Sequence, residues 1–175
     1  ASVERLRKGR SAELVRAALM LSDARRRAAA KWPAEVASRL VADPTGVEMA
    51  SSGLVAAYKA RRFAAAIGGG KEVVDLCCGV GGDAMALARA GMKVTAVDID
   101  PARAWMAGIN AACTSVAADA ADPGLSAGPF HLDPARRDEA GANRLWQIDD
   151  HFPGPTVWRK VIERYTKGAF TELEW

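Results

Sequence analysis

Apolar residues recur at helical spacing through the first third of the chain and give way to short β-branched runs after residue 70. Leu14, Ala18 and Leu21 stand at i, i+4 and i+7, so a helix opening at Ser11 is predicted, with the serine hydroxyl as its cap. Pro33 suits the first turn of a second, shorter helix ending near Leu40 or Val41. Asp43-Pro44-Thr45-Gly46 reads as a turn. A third helix starts at Ser51 or Ser52, carries Leu54, Val55, Tyr58 and Phe63, and ends at Gly68-Gly69-Gly70. The triple glycine is also the natural boundary between a helical region, residues 1–67, and the remainder, residues 68–175.

Beyond it the period shortens. Residues 71–76 form a β-branched strand, and a glycine-rich turn leads into a helix over 83–90 that Gly91 terminates. A second strand covers 93–97, and Pro101 opens a helix reaching about Ala112. Further strands are predicted at 115–117 and 129–132, a helix at 155–166, and a fifth strand at 169–173. Strands alternating with helices predict an α/β fold, a parallel sheet with helices on both faces.

The 175 residues suit one domain of ordinary size, or a core with a small appendage. Half are hydrophobic and 26% are charged, a balance that buries a core and excludes a disordered chain. No apolar run approaches the roughly 20 residues that cross a bilayer, so no membrane partner is expected. The basic start lacks the apolar stretch of a secretory signal. Three cysteines, two of them adjacent, give neither a disulfide framework nor zinc-ligand spacing; no metal is expected, and a reduced cytoplasmic setting is. The net charge of +3 hides a split: residues 1–62 carry 13 Lys+Arg against 6 Asp+Glu, and residues 63–175 carry 11 against 15. A basic end suits a polyanion such as RNA, although arginines on solvated helix faces produce the same composition.

The stretch from Val73 through Asp75, Cys77, Cys78, Gly79, Gly81 and Gly82 to Ala84 takes a strand through glycines into a helix, where backbone can approach a ligand closely. Two ligands compete for it. Gly79, Gly81 and Ala84 satisfy the dinucleotide spacing G-x-G-x-x-G/A, and Asp98 ends the next strand about 20 residues on, where a carboxylate grips ribose hydroxyls. Asp75 is the expected discriminator. Its charge, four residues before the first glycine, opposes a pyrophosphate. S-adenosylmethionine (SAM) carries an ammonium and a sulfonium and no phosphate, so an anionic strand end favours it over a nicotinamide dinucleotide. The other reading of Asp75 is a cap on the turn that follows.

In the SAM reading Asp98 accepts both ribose hydroxyls, and Asp119, or its neighbour Asp122, accepts from the adenine amino group. Asp100 is expected to cap the Pro101 helix. Asp75, Asp98, Asp119 and Asp133 each end or follow a strand, which in a parallel sheet gathers them at one edge. Cys77 and Cys78 read as small residues at a tight turn, since no histidine partner lies nearby in sequence. His131 and His151 lack ligand spacing, and Trp32 and Trp105 read as core. Ser51 and Ser52 read as caps, with an anion site as the alternative.

Asp75-Leu76-Cys77-Cys78-Gly79-Val80-Gly81-Gly82, followed by Gly91-Met92-Lys93-Val94-Thr95-Ala96-Val97-Asp98-Ile99-Asp100-Pro101, resembles class I SAM-dependent methyltransferases. Within them it is most similar to the trimethylguanosine synthase group and to bacterial methyltransferases with a THUMP-like domain. Glu48-Met49-Ala50-Ser51-Ser52 and Ala57-Tyr58-Lys59-Ala60 resemble the helical lead-in of the THUMP-like group, and Leu132-Asp133-Pro134-Ala135-Arg136-Arg137 resembles its Asp-Pro-Ala-Arg-Arg box. The resemblance covers about residues 28–137. It implies a Rossmann-like SAM-methyltransferase fold, transfer of a methyl group to a nitrogen of an RNA nucleotide, SAM contacts at Asp75, Cys77, Gly79, Gly81, Asp98 and Asp119, and a catalytic face at Asp133 and Pro134. Arg136 and Arg137 suit RNA phosphates as bidentate donors, or else pair with Asp138 and Glu139.

Two departures stand out. Base-amine methyltransferases usually place an aromatic residue after their Asp/Asn/Ser-Pro-Pro motif to stack on the flipped base. Ala135 and Arg136 occupy those places, so stacking comes from elsewhere or the target is not a base amine. The superfamily's sheet usually has seven strands against five read here, so the chain is expected to be a fragment or to lack segments, with a join near residues 168–172. A fold that keeps RNA binding without turnover is the alternative, and an NAD(P)-linked oxidoreductase the remaining one. The sequence leaves the oligomeric state open.

Overall fold

The computed structural model describes residues 3–126, 128–135 and 147–166. Four strands, β1 (Glu72–Leu76), β2 (Lys93–Asp98), β3 (Thr114–Ala117) and β4 (Phe130–Leu132), form one parallel sheet in the order β3-β2-β1-β4. Val74 of β1 lies beside Thr95 of β2 on one side and Phe130 of β4 on the other. The chain steps outward from β1 to β3 and then returns past β1 to add β4. That reversal opens a crevice at the carboxyl ends of β1 and β4, where ligands bind in open α/β sheets.

Helices α6 (Gly82–Arg89) and α7 (Pro101–Ala111) make the first two crossovers. Alternation along the strands sends Val73, Val94 and Ala96 to one face and Leu76 and Val97 to the other. The first face packs on α6, α7 and the N-terminal helices; the second packs on Val161 and Tyr165 of α8 (Pro155–Thr166). This is the α/β, Rossmann-like methyltransferase architecture expected of the sequence. The predicted fifth strand, and Arg136 and Arg137, lie outside the described residues.

Five helices precede the sheet: α1 (Val3–Arg7), α2 (Ala12–Ala28), α3 (Ala34–Ala37), α4 (Pro44–Met49) and α5 (Gly53–Ile67). Ser11 and Ser52 cap α2 and α5, accepting the amides of Leu14 and Val55. The expected apolar stripe of α2 is not its buried face. Val15, Ala24 and Ala28 are buried while Leu14 and Ala18 face outward, because the small alanines of its second half let α4 approach closely. The segment read as a turn at Asp43 opens a helix instead: the Asp43 carboxylate accepts the Gly46 amide at 2.7 Å and Pro44 takes the first turn. Turn formers and helix starters are the same residues. A side chain at Gly46 would meet Val80 Cγ1 at 2.5 Å, so α4 sits directly on the glycine loop.

Asn110 of α7 ties these layers together. Its amide oxygen accepts Val41 N–H at 2.9 Å, and its nitrogen donates to the carbonyls of Val41 and Val80. Trp32 is buried in this shared core, whereas Trp105, also expected there, is 57% exposed on α7. Among the described residues no helix is long and apolar enough to cross a membrane.

Candidate functional site

A cleft of about 1060 Å³ opens above the carboxyl ends of all four strands. The loop leaving β1 forms its floor. Cys77 (φ +61°) and Gly79 (φ +54°) take left-handed conformations there. Asp98 Oδ2 accepts the Gly79 amide at 2.8 Å, and no heavy atom lies within 4 Å of where a Cβ on Gly79 would stand. The loop is therefore open to a ligand at Gly79. Gly81 behaves differently: a Cβ would come within 2.8 Å of the Ala107 backbone, and the residue falls outside the cleft lining. Its glycine lets α7 pack against the loop, a role that differs from the cofactor contact expected of it. Cys77 and Cys78 line the cleft as thiols. Burial, with nearby carboxylates added, pushes Cys77 up to about 12 and raises Cys78 as well, so neither supplies a thiolate near neutral pH.

Asp75 corrects the sequence argument most sharply. It is 1% exposed and absent from the lining; its Oδ1 lies 2.7 Å from His131 Nδ1 inside the sheet. The cause is register: β1 and β4 set Asp75 beside His131. Asp75 Oδ2 has no hydrogen-bond partner among the described residues. Burial raises the Asp75 pKa. Burial also pulls against the charged form of His131, but the Asp75 hydrogen bond and charge outweigh it and hold the imidazole above its usual value. The β1 carboxylate is thus neither a turn cap nor a wall of the cleft.

The acidic wall comes from other residues. Asp98 lines the cleft and accepts two amides, from Gly79 through Oδ2 and from Asp100 through Oδ1. Asp100 caps α7 as expected, accepting Ala102 N–H at 2.8 Å. Asp119 lines the cleft and accepts the Ala121 amide, while Asp122 is turned to Arg164 at 2.6 Å. Asp133 and Pro134 follow β4 into the lining.

Lys59, passed over in the sequence, and Ser51, read there as a cap or an anion site, complete that end. Lys59 reaches in from α5 and places its ammonium 2.8 Å from Asp83 and 3.1 Å from Asp133. Ser51 Oγ accepts from Lys59 at 3.0 Å and donates to Asp133 at 3.4 Å. Burial lowers the Lys59 pKa, but the hydrogen bonds and charges of Asp83 and Asp133 outweigh it and leave a net rise, so the side chain stays cationic. The available signals were an acid in the first turn of α6 and a lysine eight residues past Ser51; neither shows the pairing before the helices are placed.

Phe152 was also missed. Ala135 N–H donates to its carbonyl at 2.7 Å and Phe152 N–H donates back at 3.0 Å, an isolated antiparallel bridge. Its ring lines the cleft and is 60% exposed. The backbone next to it is held by Trp158, whose indole N–H donates to the Pro153 carbonyl.

Seven carboxylates line the cleft against Lys31 and Arg103. With an open glycine loop, that donor set fits a cationic sulfonium cofactor and disfavours a diphosphate. The volume exceeds an ordinary small-ligand pocket, leaving room for an acceptor beside it. Among the described residues no group of three or more His, Cys, Asp or Glu side chains is gathered to hold a metal. No curated protein matches the chain significantly. A sequence model of the RNA cap guanine-N2 methyltransferase family matches residues 70–121, under a third of the chain. The matched segment runs from β1 to just past Asp119, so it includes the glycine loop, Asp98 and Asp119 and stops short of Asp133 and Phe152; it supports a methyltransferase.

Proposed function

We propose that the chain is a SAM-dependent methyltransferase acting on a nitrogen of an RNA nucleotide, an exocyclic base amine such as guanine N2. The observation that carries this reading is a carboxylate-lined cleft whose floor, the open Gly79 loop, lies in the segment that matches the methyltransferase family. In this reading Gly79 and Cys77 let the cofactor approach the backbone, Asp98 holds the ribose, and Asp119 accepts from the adenine amino group. Bound SAM supplies an electrophilic methyl carbon and departs as a thioether. The protein's task is alignment of the attacking nitrogen with that carbon.

Asp133 accepts an N–H of the acceptor amine, orients the nitrogen lone pair and takes the proton released as the N–C bond forms. Pro134 restricts the backbone that carries it. Lys59 holds Asp133 in place while neutralising Asp83, so the paired carboxylates coexist in the cleft. Phe152 offers the ring face that the sequence motif lacks, and Arg136 and Arg137 meet RNA phosphates. Kinship with the THUMP-like group rests on the Asp133-Pro134-Ala135-Arg136-Arg137 box and belongs to the same proposal, as does a cytoplasmic setting. An NAD(P)-linked oxidoreductase has less support, since its diphosphate would face the carboxylates. Incubation with methyl-labelled SAM and RNA tests the function. Label is expected on a base amine, and transfer to protein or small molecules but not RNA would overturn it.

A further inference from the structure

We infer that the outward face of α5 carries the RNA strand on either side of the reacting nucleotide; this rests on the RNA reading above. Leu54, Val55 and Tyr58 all point outward from α5, and Leu54 is 86% exposed. Leu54, Tyr58 and Arg62 are spaced i, i+4, i+8, which makes one stripe about 12 Å long at 1.5 Å per residue. The stripe is continuous with the cleft, because Val55 and Ser52 at its start also line that cavity. Arg62 lies over the Tyr58 ring at 6.0 Å, so a ring face and a guanidinium share one spot.

Charge selects the occupant. Helix α5 contains Lys59, Arg61 and Arg62 and no acidic residue. Arg61 and Arg62 have no ion-pair partner among the described residues. The rim segment beyond Asp133 instead carries exposed Asp149 and Asp150 in the 3₁₀ turn Ile148–Asp150, and the cleft itself is lined by carboxylates. A polyanion whose one nucleotide enters the cleft is repelled along that rim and attracted along α5. Apolar side chains beside a tyrosine and two arginines match the pattern of single-strand binding, in which bases stack on a ring while cations follow the phosphates.

The test measures binding and turnover of a short single-stranded RNA oligonucleotide on the full chain. Tyr58→Ala is expected to weaken binding about tenfold, with Tyr58→Phe close to wild type. Arg61→Ala/Arg62→Ala should lower the slope of log affinity against log salt by about 1.4, the value for two lost contacts on a single strand. In each weakened variant KM for the oligonucleotide rises while kcat and SAM affinity hold, which separates docking from misfolding. Wild-type RNA methylation with all these variants unaffected overturns the surface and leaves the methyltransferase reading intact. Failure of the wild-type chain to bind or methylate RNA overturns both. Variants that alter sedimentation rather than RNA binding would assign the stripe to a second copy and overturn the inference.

Discussion

The strand-end cleft and the helical region before it are built from opposite materials. The cleft concentrates acids and fastens several of them to backbone: Asp98 to Gly79 and Asp100, Asp119 to Ala121. The helical region is basic and leaves Leu54 and Tyr58 of α5 in solvent. The two meet at Lys59, the helical cation that pairs with Asp83 and Asp133 of the cleft wall. In the proposed reading, charge separated in this way suits a cationic cofactor at the sheet edge and a polyanion along the helices, two ligands that a uniformly charged surface would not serve together.

The contrast can be broken first at Asp133. Replacing it with Ala should cut methyl transfer by about a hundredfold or more, the range for one general base, while SAM affinity changes little. Equal losses in binding and rate would move Asp133 to the cofactor side. Lys59→Met tests the junction: it leaves Asp83 and Asp133 facing each other without their cation. Discounted for partial exposure, the loss should be about 2–3 kcal/mol in denaturant unfolding, and unaltered stability would show that the junction is not structural. Asp98→Ala should weaken SAM binding at least about tenfold in calorimetry, since the proposed ribose grip would go together with the Gly79 tether; undiminished affinity would refute the ribose assignment.

The smallest effect concerns the buried pair beneath the cleft. The pKa values of His131 and Asp75 are both raised in the folded chain, so folding takes up protons and stability declines as pH rises. The His131 contribution is complete below its ordinary value of 6.5 and is lost as pH climbs through the raised folded value. Thermal unfolding should therefore fall by a few degrees from about pH 6 to pH 9, at roughly 2–4 °C per kcal/mol. His131→Gln should flatten that slope, and a slope unaltered by the substitution would place the titration elsewhere.

Local chemistry was largely readable in the chain. The caps at Ser11, Ser52 and Asp100, the stop at Gly91 and the strand-loop-helix path through Gly79 follow from backbone preferences of single residues, and each formed as read. What escaped depends on partners distant in sequence. Asp75 had the motif's charge, but its direction was decided by His131, 56 residues away. Lys59 meets Asp133 across 74 residues, and Phe152 reaches the cleft through a two-hydrogen-bond bridge to Ala135. Gly81 matched a ligand-binding spacing, yet the close approach it permits is that of α7. Asp98, Asp119 and Asp133 thus stand at the strand-end cleft while Asp75 turns into the sheet. The cleft stays acidic without Asp75 because seven other carboxylates line it.

Calorimetric titration of the full chain with SAM and, separately, with NAD bears most directly on the cofactor preference of that cleft. Seven acids around an open glycine loop predict that SAM binds with an affinity that declines as salt is added, while NAD at the same concentrations gives no heat of binding. Binding of NAD in preference to SAM would contradict the account.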